Sequence, residues 1–356
     1  MLPTSELEDS NTKIELANMV EELSPAQTIA NTETGDEGGQ LIDRAVIDKL
    51  PLGTVVHSSR RLGTSEWTVL TKLETTDRNN EPKSYFLKCA PHEHGRIMLE
   101  GEFHSMKALY EAAPTFVPKP HGWGLLTGSE QATYFFLCDF LELSNEFPEP
   151  NQLCEKLVAL HKSSQSSNNM FGFHIKPMRG NLQLETTWNP SWISFFIQLL
   201  RSTLELDQKT NGTWSNLEQL VDDTITHIVP QVLGPLVTKG RSIKPSLIHG
   251  DLWDGNIGTN AKTGDVYIFD ASAYYAHHEM EIAIWRPLPN SVVGSGVYVE
   301  TYLKYMGISE PKEQFEDRHM LYSACTALHA AACHNRLSAR EECSEKLTIL
   351  IGKYCH

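Results

Sequence analysis

The chain has 356 residues, 40% of them apolar, with 30 basic against 45 acidic residues for a formal net charge of −15. That is enough apolar material for one large unit or two lobes, so neither disulfide nor metal staples are needed. No basic stripe with interleaved aromatic residues occurs, which speaks against a nucleic-acid partner, and no run approaches the length of a membrane-spanning helix.

Residues 1–40 hold nine acidic residues against Lys13 alone. Rich in Ser, Thr, Asn and Gly, this stretch is expected to be a flexible acidic tail, with Ile14 to Leu23 able to form a short helix. Glu6, Glu8 and Asp9, with no apolar run behind a basic start, argue against a secretory signal or transit peptide. The seven cysteines include no Cys-x-x-Cys pair and suit free thiols in a reducing compartment, so the cytoplasm is the expected location.

Residues 41–141 read as a small β-rich lobe. Thr54–Val56, Trp67–Leu73, Ser84–Ala90 and Gln131–Phe140 carry strand patterns, and Asp77–Glu81 supplies a turn. Between them, Arg96 to Ala112 reads as a helix because Leu99, Phe103, Met106 and Tyr110 share one face. Glu102 falls on that face and needs a cationic partner. Lys88 shares its strand face with Phe86 and Ala90, so the two are expected to pair. Gly63, in Arg61–Trp67, is placed by position in a phosphate-covering loop, although a plain strand-to-strand turn fits the segment equally well. Phe135 to Leu141 runs from a strand into a linker, where the backbone of Asp139, Phe140 and Leu141 could meet an adenine.

Residues 142–356 are predominantly helical in pattern, with helices over Asn151–His161 (an Asn cap), Ser191–Leu206, Leu217–Val229, Val297–Tyr305 and Arg318–His334. One hairpin-like interruption covers Ser246–Asp270. The fold class expected is α+β: a bilobal, protein-kinase-like fold with a β-rich first lobe and a larger helical second one.

The interruption holds the chemistry. An apolar strand delivers His249-Gly250-Asp251, Asn256 follows, and a second apolar strand, Val266-Tyr-Ile-Phe, ends at Asp270. Phosphoryl transfer needs a carboxylate beside the attacking hydroxyl and oxygen ligands for Mg²⁺. Asp251 suits the first role and Asn256 with Asp270 the second, at the spacing of a protein-kinase catalytic loop. The plainer alternative is a polar hairpin whose Asp, Gly and Asn residues only make turns. The ordered set between two apolar strands speaks against it.

Three blocks resemble the fructosamine kinase (ketosamine-3-kinase, protein-ribulosamine 3-kinase) family, which is related to aminoglycoside phosphotransferases. They are Phe171-Gly-Phe-His174 with Trp188, Trp192 and Phe195-Phe196; His249-Gly-Asp-Leu-Trp-Asp-Gly-Asn256; and Phe269-Asp-Ala-Ser-Ala-Tyr-Tyr-Ala-His-His-Glu-Met-Glu-Ile-Ala283. The resemblance implies ATP-dependent phosphorylation of the 3-hydroxyl of a fructose or ribulose unit attached to an amine. It implies Asp251 as base, Asn256 and Asp270 as magnesium ligands, and Lys88 with Glu102 as the pair that positions ATP. Trp253 is placed to stack on the sugar adduct, the alternative being a core tryptophan beneath the loop. Glu279 and Glu281 read as ion-paired helix-start carboxylates, and His161, His174, His277 and His278 as structural.

The chain departs from the family at Ala271, where proline is usual, in its reduced glycine loop, and at Trp285-Arg286-Pro287. The last departure leaves the accepted adduct open. The same machinery with another hydroxylated amine is one alternative, and a nucleotide-binding pseudokinase is another, although Lys88, Asp251, Asn256 and Asp270 are all present.

Overall fold

Side chains alternating between two environments build an antiparallel sheet from β1 (Val55–Thr64), β2 (Val69–Thr76), β3 (Pro82–Pro91), β4 (Pro120–Leu125) and β5 (Thr133–Asp139). The strand order is β1-β2-β3-β5-β4. These elements come from a computed structural model describing residues 42–65, 67–286 and 291–355. The expected acidic tail over 1–40, with its short helix, lies outside the described residues, as does Pro287. The Asp77–Glu81 turn is closed by Asp77, whose Oδ1 accepts the amides of Asn79 and Glu81. β4 escapes the sequence pattern because Pro120, Gly122 and Gly124 interrupt it, residues that an edge strand tolerates.

Register sorts the two faces of the sheet. Leu73 lies opposite Tyr85, and Leu87 opposite Leu137. With Phe135, these residues bury against Val46 and Leu50 beside the one-turn helix Arg44–Ile47. The intervening positions face the other way: Lys72 opposite Phe86, and Leu70 opposite Lys88 opposite Phe136. Against this second face packs α1 (His92–Ala112), whose Leu99 and Met106 join Ala90 and Phe136 in the main core.

The rest of the chain is mainly helical: α2 (Pro150–Ser163), α3 (Trp192–Asn211), α4 (Ser215–Asp223), α5 (Val297–Met306), α6 (Phe315–His334) and α7 (Leu337–Tyr354). α3 is capped by Ser191, whose hydroxyl accepts the Ser194 amide. α2 lacks the expected Asn cap. Pro150 fills its first turn, Glu149 is the cap residue without a side-chain bond, and Asn151 lies inside the helix. The single helix expected over Leu217–Val229 widens into a π segment at Thr224–Ile228 just before Pro230, which cannot continue the hydrogen-bond ladder. α7 is missing from the sequence reading because Cys343, Leu347 and Leu350 are sparse among charged residues.

One contact sets how the halves approach each other, and one ion pair locks the helical half internally. Gly101 of α1 faces Pro177, and a Cβ there would lie 3.0 Å from the Pro177 Cα, so the helix and the loop approach backbone to backbone. On α6, the fully buried Arg318 donates from Nε to Glu279 Oε2 at 2.7 Å and from Nη2 to Oε1 at 3.0 Å. Removing one partner of such a pair strands a buried charge. Arg318→Met is therefore expected to cost about 3–5 kcal/mol in urea unfolding, and adding Glu279→Gln should recover part of the loss.

Candidate active site

Four three-residue strands, nearly all apolar, deliver the polar loops. β8 (Ser246–Ile248) pairs with β11 (Tyr274–Ala276), and β9 (Ile257–Thr259) pairs with β10 (Val266–Ile268). The single hairpin expected over Ser246–Asp270 is thus two nested ribbons, β9–β10 within β8–β11, because short apolar strands carry no alternation to specify a partner. The outer pair lays His249–Asp251, leaving β8, beside Asp270–Ser272, leading into β11. Gly250 has φ +80, and a Cβ there would lie 2.3 Å from the Ser272 carbonyl oxygen, so no other residue fits without backbone movement.

The residues singled out from the sequence converge here. Lys88 and Glu102 are each only 7% exposed, and the Lys88 ammonium donates to both Glu102 oxygens at 2.9 Å and to Asp270 Oδ1 at 2.8 Å. All three ammonium protons are therefore engaged. Burial alone would lower the Lys88 pKa, but Asp270 and Glu102 carry it well above its ordinary value, so it stays charged. Burial likewise works to raise Asp270, and Lys88 outweighs it and holds the carboxyl low. Asp270 itself sits at φ +62, a conformation unusual for a residue with a side chain.

Asn256 donates Nδ2 to the Asp251 carbonyl at 2.8 Å and reaches Asp251 Oδ2 and the Asp270 carbonyl at 3.4 Å each. One amide group thus ties the two acidic segments together, and its Oδ1 makes no hydrogen bond within the described residues. Burial raises the Asp251 carboxyl, with Arg179 and His249 acting against it.

Two residues hold this loop in roles that the sequence does not reveal. Glu281 accepts the backbone amide of His249 at 2.5 Å and that of Gly250 at 3.0 Å. It is fully enclosed and also receives His161 Nε2 at 3.4 Å. Of the expected pair of ion-paired carboxylates only Glu279 meets an arginine, whereas Glu281 satisfies two loop amides. Charge pattern does not distinguish the two kinds of partner. The second is Arg179, whose Nε lies 3.2 Å from Asp251 Oδ1. The His249 ring completes the frame, with Nε2 bonded to the Phe269 carbonyl at 2.9 Å and Nδ1 accepting the Asp251 amide at 3.3 Å.

The remaining singled-out residues surround the centre. Trp253 is 45% exposed, with its ring lying on Gly255, so it is not a core tryptophan. The tryptophan beneath the loop is Trp285, whose Nε1 donates to the Leu252 carbonyl at 2.7 Å, while Arg286 turns away to Glu316 and His319. Gly63 lies within β1, one residue from its end and just after a register shift, before the turn closed by Ser65 and Thr68. In the linker, Asp139 is held by His121 at 2.7 Å and Lys83 at 3.1 Å. The Asp139 amide bonds the Lys119 carbonyl and the Phe140 amide bonds the Ser84 carbonyl. Among these three residues, only the Leu141 amide makes no backbone bond within the described residues.

His277, His278 and Glu279 bring ligand atoms within 4.8 Å of one another. Each imidazole nitrogen is nevertheless bonded to Tyr322, Tyr302 or Ser309, and Glu279 takes Arg318 and the Ser309 amide. Burial pushes His277 down to about 3, so it is neutral.

Residues 56–342 match the sequence profile of the family described as fructosamine kinase. A chloroplastic protein-ribulosamine 3-kinase of Oryza sativa subsp. japonica is 30% identical over 248 residues, 68% of this chain and 65%, just under two thirds, of the relative. A solved chain from Thermobifida fusca, assigned as a fructosamine-3-kinase, superposes with a TM-score of 0.65 at 18% identity, covering 86% of this chain and 98% of that one. An aminoglycoside phosphotransferase structure gives a TM-score of 0.55 at 12% identity over 84% of this chain and 95% of its own. These two likenesses establish the bilobal α+β, kinase-like fold.

Because Glu281 carries two loop amides, Glu281→Gln turns an amide NH₂ toward at least one N–H donor. The expected result is a loss of about 1–3 kcal/mol and faster hydrogen exchange at His249, Gly250 and Asp251, read by mass spectrometry.

Proposed function

The chain belongs to the fructosamine kinase family, and from that premise we propose that it transfers the γ-phosphoryl group of ATP to the 3-hydroxyl of a ketosamine. Such an acceptor is a fructose or ribulose unit joined to an amine, either free or on a protein. The observation that carries this reading is the convergence of Lys88, from the sheet, with Asp270, Asn256 and Asp251, from the helical part, around one point.

Each residue has a role its surroundings support. Lys88, aimed by Glu102, places a fixed positive charge that attracts the phosphates. Asn256 Oδ1 and the Asp270 oxygen that Lys88 does not use form a hard oxygen donor set suited to Mg²⁺. When bound, magnesium supplies charge neutralisation on the phosphates. Asp251 orients the acceptor hydroxyl and takes its proton, and its raised pKa makes it a better base than an ordinary aspartate. Gly63 lies where the loop covering the phosphates would close. Leu141, next to Asp139 and Phe140, offers its amide to the adenine, and the exposed face of Trp253 is available to the sugar adduct. All seven cysteines are free thiols, which supports a reducing, cytoplasmic setting. Among the described residues no helix is long and apolar enough to cross a membrane.

The direct test is phosphate transfer from ATP to fructosyl-lysine, ribulosyl-lysine and unrelated amino alcohols, compared on kcat/KM. The ketosamines are expected to lead, and a preference for another hydroxylated amine overturns the acceptor assignment. Asp251→Ala should lower kcat on the order of a hundredfold or more, and full activity in that variant would remove Asp251 from the reaction.

The pH profile provides a separate check. Because Asp251 must be ionised to accept a proton and its pKa is raised, kcat/KM should fall on acidification at a pH above the ordinary aspartate range. Arg179 favours the ionised form, so Arg179→Met should move that limb to still higher pH.

A further inference from the structure

The kinase reading leaves unexplained why an arginine touches the catalytic carboxylate. Arg179 lies on β6 (Met178–Arg179), which forms a tight hairpin with β7 (Leu182–Gln183) through Gly180 at φ +59. The hairpin is pinned from both sides. Ser272 donates its hydroxyl to the Met178 carbonyl at 2.5 Å, tying the hairpin to the Asp270 segment. From α6, His329 Nε2 and Cys333 Sγ meet the Arg179 carbonyl at 3.0 and 3.2 Å. Gly180 has no room for a side chain that would not press on Cys333, since a Cβ would lie 3.1 Å from its Sγ. The backbone beneath Arg179 is therefore fixed relative to both acidic loops.

The side chain is placed but only partly used. Its Nε faces Asp251 Oδ1 at 3.2 Å, and this carboxylate is its only ion-pair partner among the described residues. The side chain is 12% exposed, and its two terminal nitrogens make no hydrogen bond within the described residues. Asp251 is flanked asymmetrically: Oδ2 faces Asn256 Nδ2 at 3.4 Å, on the side of Asp270, while Oδ1 faces Arg179. The guanidinium thus stands on the side of the base away from the oxygen donor set. An unfilled, planar fork of N–H donors is the shape that accepts a carboxylate or phosphate with two parallel bonds.

We propose that Arg179 is a specificity-determining residue that binds an anionic group of the acceptor beside the hydroxyl facing Asp251. The preferred acceptors are then ketosamines bearing a negative charge, either the carboxylate of a free amino acid or a phosphate on the sugar. This rests on the ketosamine-kinase reading for the identity of the acceptor, but not for the anion preference itself.

The test uses the full chain with three acceptors: fructosyl-glycine, its neutral glycinamide counterpart, and a ribulosamine carrying a terminal sugar phosphate. Each is measured by kcat/KM with ATP and, separately, by calorimetric binding without ATP. Wild type is expected to favour an anionic acceptor over the neutral one by roughly tenfold or more, the scale of a charge-assisted fork. Arg179→Met should bring that ratio close to one, and Arg179→Lys should keep part of it because it retains the charge but loses the fork. Whichever anion loses more in Arg179→Met is the source recognised.

Each ratio is internal to one variant, so a general loss of activity leaves it readable, and Arg179→Lys alone decides the matter if Arg179→Met does not fold. Equal handling of charged and neutral acceptors by wild type, or an unchanged ratio in the variants, overturns the proposal. Preferential binding of an anionic adduct without phosphorylation sinks the kinase reading and leaves this one standing. Phosphorylation without charge preference does the reverse.

Discussion

One buried ammonium organises this molecule. Lys88 lies on a strand face between Phe86 and Ala90, and removing its charge from water is tolerable only because two carboxylates saturate it. Glu102 comes from the helix next in sequence, and Asp270 from a segment 182 residues further on. The first contact fixes α1 against the sheet. The second fixes the sheet against the helical part, so a local electrostatic requirement becomes a constraint on how the two halves sit.

The loops that meet Lys88 obey a second constraint, the satisfaction of backbone polar groups where water is excluded. The turn at Gly250 points two successive amides inward, and Glu281 accepts both. His249 and Asn256 use side-chain nitrogens on the carbonyls of Phe269 and Asp251. Trp285 donates to Leu252 from below. Each of these bonds is modest alone, but an unpaired buried amide costs more than a bond contributes, so the loop has few alternative conformations. A rigid loop is what lets Asp251 and Asn256 hold a fixed separation.

Much of this was legible in the sequence, for identifiable reasons. Period-two alternation assigned Lys88 to the inner face, and helical spacing assigned Glu102 to the side facing it. The order Asp251, Asn256, Asp270 survived the error about which short strands pair, because strand ends, not strand partners, position those residues. The amide partners of Glu281 are not legible, because an acidic residue looks the same whether a cation or a backbone N–H awaits it. Arg179 was invisible because it lies in a stretch without periodicity, and its partner is far along the chain. β4 and α7 were lost where proline, glycine or dense charge masks the apolar pattern.

The meeting of Gly101 with Pro177 has a mechanical consequence. With no side chain to act as a spacer, α1 rests directly on the segment leading into the β6–β7 hairpin. An outward swing of that helix would pull Glu102 off Lys88 and, in the same motion, open a gap beside the segment that leads to Arg179. The seat of Glu102 and the approach to the hairpin are therefore set by one backbone contact, with no side chain between them that could repack.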